Sequence, residues 1–165
     1  MELKYEEIEA IETGGMDGKK LLSAIEDIHL SCTEYAEEAL LSSCFTWSKE
    51  ISLTRLAKVR VSTGGANFLD GAMLHDLYLF AVASGLRCCM GDVGPHMLLK
   101  YPASAIVKVK MGMKPLLVNG KNQIFAIGTG ENNSMELCTV SGDFKNYWPG
   151  STEFLFEIVQ RRENE

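Results

Sequence analysis

Leu69 to Gly85, LDGAMLHDLYLFAVASG, is the longest stretch of the chain with only a few polar residues. Asp70 reads as a helix N-cap and Gly85 as the glycine that follows a helix C-terminus, which together predict a helix over 71–84. Ala72, Met73, Leu74, Leu77, Leu79, Phe80, Ala81, Val82 and Ala83 leave it almost no polar side. A helix apolar nearly all round belongs inside a fold, so a core helix covered on more than one side is expected. Its length, about 21 Å by helical rise, is too short to cross a bilayer.

Ahead of this segment the chain reads as helices. Residues 2–12 suit a short helix with Leu3, Ile8 and Ile11 near one face, ended by Thr13-Gly14-Gly15. A second helix from Asp17 sets Leu21, Leu22, Ile25 and Ile28 at helical spacing. A third, over roughly 32–46, opens on Ser31 and Glu34 as a capping box, with Tyr35, Ala39, Leu40, Cys44 and Phe45 as its apolar face. Ile51 to Ser62 divides between a short helix at Ser52–Ala57 and an alternating strand from Lys58 to Ser62.

Behind the central segment the pattern changes. Gly91, Gly94 and Pro95 read as an irregular loop, and Ala105–Met111 as a strand with Lys108 and Lys110 on one face. Pro115–Ile127 reads as a hairpin turning at Asn119-Gly120, because both residues enter positive φ easily. Met135–Val140 and Thr152–Gln160 are further strands, the last with Phe154, Phe156 and Ile158 on one side. The prediction is an α+β fold: helices of the N-terminal half and the buried helix 71–84, packed on a mostly antiparallel sheet from the C-terminal half. With 165 residues and no linker or repeat, one domain spanning 1–165 is expected.

Composition narrows the function classes. Hydrophobic residues make up 46% and charged residues 23%, enough to build a core and wrong for a disordered chain. The formal net charge of −6 argues against a binder of nucleic-acid backbones and suits a partner of basic character. The first twelve residues carry five glutamates and no basic segment followed by an apolar one, so no secretory signal is expected, and no apolar run is long enough for a membrane span. The five cysteines are odd in number and irregularly spaced, which reads as reduced thiols in the cytoplasm.

Four places carry candidate chemistry. Ser62, Thr63, Gly64, Gly65 and Asn67 form a Gly-rich turn between a strand and the central helix, whose N–H groups and hydroxyls suit a phosphate or carboxylate. It has neither the lysine of a P-loop nor the GxGxxG of a dinucleotide site, and a plain strand-to-helix connection in which glycine relieves the turn is the readier explanation. Cys88, Cys89 and His96 suggest a thiolate with a base, Cys89 being the better nucleophile; three candidates without paired spacing do not make a zinc site, and buried cysteines commonly just pack. His75 and Asp76 point about 100° apart on a helix and are not expected to pair, while His75 and Tyr78 share a face. Tyr147 and Trp148, with Phe144, place three aromatic rings in a polar connection, a composition favoured at binding hot spots.

Leu77 to Met113 resembles, in its hydrophobic spacing, part of a nitroreductase-type flavoprotein. Such enzymes begin with an Arg/Ser-rich segment that holds the flavin phosphate, and residues 1–20 contain neither arginine nor serine, so no family, cofactor or metal is assigned. The sequence points to a small acidic intracellular domain that binds a protein partner, of the inhibitor, immunity or regulatory type, with Tyr147–Trp148 and the acidic helices as its surface. The alternatives are a small-molecule or phosphorylated-ligand site at 62–67 and a cysteine-dependent enzyme using Cys89 with His96 or His75. No motif names a reaction, and the balance is against an enzyme.

Overall fold

The structure is a computed structural model that describes residues 4–103, 108–130 and 133–159. In chain order its elements are β1 (Glu6–Thr13), α1 (Gly18–Asp27), β2 (Ser31–Cys32), α2 (Glu34–Leu41), β3 (Ser52–Arg60), β4 (Gly71–Met73), α3 (Leu74–Ala83), β5 (Leu86–Arg87), α4 (Val93–Lys100), β6 (Lys110–Met111), β7 (Leu116–Val118), β8 (Lys121–Thr129), β9 (Met135–Ser141), β10 (Tyr147–Pro149) and β11 (Glu153–Ile158). The class is α+β. The large sheet runs β1-β3-β11-β6-β8-β9-β2, with β5 also on β11 and β7 on β8, while β4 and β10 form a separate ribbon. Pairing is antiparallel except at β11–β6 and β9–β2. No helix among the described residues is long and apolar enough to cross a membrane.

Strand β11 sits inside this sheet, and Phe154, Leu155 and Phe156 are all buried, so both its faces are covered. Neighbours along a strand point to opposite faces, which separates Phe154 and Phe156 from Leu155. On the first face, Phe156 meets the ring of Tyr78 from α3 and Phe154 meets Trp148 from β10. On the second, Met111 pairs with Leu155 and lies beside Gly94 of α4. Helix α4 rests there with α1 and α2, its Gly94 close to Phe125 of β8 as well.

Several elements follow the hydrophobic pattern directly. Asp17 caps α1 by accepting from Lys20 N–H, and Leu21 and Ile25 are buried. The third helix is shorter than 32–46: Thr33, not Ser31, is its N-cap, and it ends at Leu41 with Tyr35 exposed. The hairpin forms as predicted, Val118 facing Lys121 across Asn119 (φ 50°) and Gly120 (φ 75°), a pair of positive angles that matches the twist of the strands. Of the expected strand 105–111, Lys110–Met111 is β6, and 104–107 lie outside the described residues.

Three expectations are overturned. Of the expected helix 2–12, residues 2–3 lie outside the described residues and the rest is not helical; β1 pairs with β3, and a register shift between Ile8 and Ile11 marks a bulge. The bulge inserts a residue, so two side chains aligned to the core fall three apart and imitate helical spacing. The ambiguous Ile51–Ser62 segment is one strand through Arg60, buried at Leu56, Ala57 and Val59. The glycine–proline stretch after Cys89 is helix α4, with Pro95 in the first turn, where its missing N–H costs no helical bond.

The central helix is also corrected. Residues 71–73 are strand, paired with Tyr147–Pro149, and Asp70 is not its cap. Gly71, at φ 147°, lies so close to the Tyr147 ring that a Cβ would sit 2.7 Å from it. Helix α3 therefore starts at Leu74, and its first N–H groups are capped by carbonyls of the aromatic loop: Leu74 N donates to Asn146 O and His75 N to Phe144 O, both at 3.0 Å. Gly85 takes φ 83° after the C-cap Ser84, as predicted. Helix α3 is covered on one side only, through Leu74, Leu77 and Ala81, while Leu79 and Val82 are 60% and 63% exposed.

Gly18 and Gly85 test the packing. A Cβ on Gly18 is driven into the Leu40 carbonyl oxygen where α1 crosses α2, whereas one on Gly85 meets nothing. Gly18→Ala is expected to destabilise by about 3 kcal/mol or more. Gly85→Ala, which pays only for positive φ, should cost about 1 kcal/mol, both read from urea midpoints.

Candidate functional site

The Gly-rich turn is occupied by its own chain. Val61 to Gly64 and Ala66 to Phe68 form two 3-10 turns around Gly65 at φ 99°. Ser62 N–H donates to Gly150 O at 2.9 Å, and the Thr63 hydroxyl donates to Arg60 O at 2.7 Å and lies 2.9 Å from Lys4 O. The Ser62 amide and the Thr63 hydroxyl are thus taken. Gly64 and Asn67 instead line a cleft of about 510 Å3 with Phe68, Leu79, Phe80 and Ala83. Its one charged group is Asp76, a carboxylate that repels a phosphate.

Cys89 is buried, donates its thiol to Leu155 O at 3.6 Å and pairs in a bridge with Met113. Burial pushes its pKa well up, and Glu157 adds to that, so the thiol stays protonated. Burial raises Cys88 too. His96 faces another part of the molecule, where its Nε2 lies 3.1 Å from Gly14 N–H. His75 stands on α3 against Phe144, ring centroids 6.5 Å apart. No hydrogen bond joins either histidine to Cys89. Among the described residues, no three His, Cys, Asp or Glu side chains gather to hold a metal ion.

Sequence reasoning missed the contact between Gly14, Asp92 and His96. Asp92 is 1% exposed and its Oδ2 accepts Gly14 N–H at 3.1 Å, sharing that donor with His96 Nε2. Gly91 N–H donates to Thr46 Oγ1 and Gly15 N–H to Ser48 O, which ties the 46–50 segment to the same place. Burial raises the Asp92 pKa and lowers that of His96, each opposed by the charge of the other. His96 opens on a cleft of about 490 Å3, lined also by Glu12, Met16, Ile51 and Lys100. Seventy-eight positions separate Gly14 from Asp92, so no spacing rule finds the pair. Its geometry is that of a clasp: a buried carboxylate holding together a strand end, a loop and the start of α4.

His75 and Asp76 do touch, contrary to expectation, at 3.4 Å between Nδ1 and Oδ1 in an exposed position. His75 and Tyr78 share a face, as predicted, and Phe144 fills it, 6.0 Å from Tyr78. Tyr78 also donates to Met113 O at 2.7 Å. The aromatic loop divides by residue. Trp148 packs edge-on against Phe154 at 5.6 Å, with Lys110 Nζ 6.0 Å from its ring, and serves the core. Tyr147, opposite Met73 in the ribbon, is exposed, as are Met73, Phe144 and Leu69. Leu79 and Val82 of α3 are exposed as well. Compared with known proteins, the chain matches no family model, no curated protein and no solved structure.

The His96 clasp has a pH signature. A histidine whose folded pKa is depressed leaves the extra proton on the unfolded chain, so its stability is full above pH 6.5 and falls as the pH drops below that. Asp92, raised above 3.8, has the opposite sign and offsets the loss only at lower pH, as its own protonation begins. His96→Gln keeps an acceptor for Gly14 N–H and removes the titration. It is expected to flatten the decline in the urea midpoint from about pH 6.5 to 5. An unchanged slope contradicts the assignment.

Proposed function

We propose that this chain is a protein-binding domain and that the outward side of α3 is its docking face. One observation carries the reading: beyond its buried side, α3 leaves the aliphatic Leu79 and Val82 bare, beside the exposed His75 and Asp76. Leu79 and Val82 lie one turn apart and 60% and 63% exposed, and Leu69 at 64% and Tyr147 at 57% extend the patch through the segment before β4 and through β10. Scattered apolar side chains need no explanation, but two exposed aliphatic side chains one turn apart on a helix, with further exposed apolar residues in its capping ribbon, suit an interaction site. Exposed tyrosine beside aliphatic residues is the composition of an interface centre.

The partner is a protein rather than a nucleic acid, since a chain of net charge −6 lacks the basic surface that phosphate backbones need. The five cysteines are all free, which suits an intracellular, thiol-reducing compartment. The protein acts as one domain of the inhibitor or regulatory type, working by occupation of a surface.

Leu79→Ser with Val82→Ser should leave stability within about 1 kcal/mol, because neither side chain is buried. Photo-cross-linking from position 79 in the cells that make the protein is expected to give one discrete adduct, abolished by Val82→Ser with Tyr147→Ser. Cross-linking from position 20, exposed on α1, should give none. Equal adducts from both positions, or none from 79, would contradict the reading.

A further inference from the structure

We propose that the cleft beside α3 seats an arginine side chain of the partner, which makes the partner segment basic as well as apolar; this rests on the docking face described above. The cleft lies between α3 and the 3-10 turn Ala66–Phe68 and adjoins the exposed patch directly, because Leu79 belongs to both. Phe68 and Phe80 form its aromatic wall, edge to face with centroids 5.3 Å apart, and Leu79 and Ala83 its aliphatic one. Two polar side chains reach it: the Asp76 carboxylate, 46% exposed, and the Asn67 carboxamide. An open, largely apolar cleft with a carboxylate and an amide side chain at it suits a long side chain with an apolar stem and a planar cationic head. Arginine fits that description better than lysine, since a guanidinium lies flat on an aromatic face while forking to a carboxylate and a carbonyl oxygen.

Inside the cleft the only formal charge is that of Asp76. A second copy of the chain is a poorer occupant. Its described arginines are already ion-paired, Arg55 with Glu7, Arg60 with Glu153 and Arg87 with Glu157, so each would have to leave a carboxylate to enter the cleft of a second copy.

The test uses the full chain and a display library of random short peptides, with the Leu79→Ser/Val82→Ser variant as counter-selection. Peptides retained by the wild type and rejected by the variant are expected to share an arginine beside aliphatic or aromatic residues. Replacing that arginine by citrulline, which keeps the shape and removes the charge, should weaken binding at least about tenfold. Asp76→Asn should weaken the arginine peptide by the same factor and leave the citrulline peptide unchanged. Selected peptides that lack arginine, or that ignore both citrulline and Asp76→Asn, overturn the arginine seat and leave the docking face standing. No peptide that distinguishes wild type from the double variant overturns both. A dimer that dissociates in the double variant, seen by sedimentation, overturns the cationic partner in favour of a second copy.

Discussion

Burial of β11 on both faces is the constraint from which the rest of the arrangement follows. Phe154 and Phe156 need a cover that Leu155 does not share, so the sheet must carry layers on both sides. On the Leu155 side, α1, α2 and α4 supply a broad helical layer, pinned where Asp92 accepts the Gly14 N–H. On the other side the cover is thinner: one helix of ten residues and the β4–β10 ribbon, joined because the aromatic loop caps α3 with its carbonyls. A single layer has an outside. On that outside α3 shows Leu79 and Val82 beside His75 and Asp76, and its apolar excess becomes intelligible as two interfaces, one to β11 and, as proposed, one to a partner.

Much of this was legible from residue order. The amphipathic period of α1, the Asn119-Gly120 turn and the strands β9 and β11 are local signals that local physics honours. The failures are equally specific. Ile8 and Ile11 look helical because a bulge adds a residue to β1. Helix α4 is disguised by a proline that is harmless in a first turn. Gly71 to Met73 read as helix because nothing local reveals that Tyr147–Pro149, seventy-odd residues away, pairs with them.

The candidate residues divide the same way. Cys89 and the turn at 62–67 looked reactive by type, yet burial silences the thiol and the turn spends its Ser62 amide and Thr63 hydroxyl on neighbouring carbonyls. Tyr147 and Trp148 were read as a pair, but strand alternation sends one ring outward and the other onto Phe154. The apolar face of α3 was visible in sequence and was taken for core, since periodicity reports that a side chain wants burial without saying what buries it. The part of the helix that its own chain leaves bare is where function is best sought.

The central claim is tested most directly by hydroxyl-radical footprinting of the same chain purified and inside the cells that make it. Leu53 and Leu117, each 62% exposed and carried by β3 and β7, are the internal references. The account predicts that Leu79 and Val82 oxidise like the references in the purified protein and are protected relative to them in the cell. Equal oxidation of all four in both settings would contradict it, because the outer side of α3 would then be bare where the protein works.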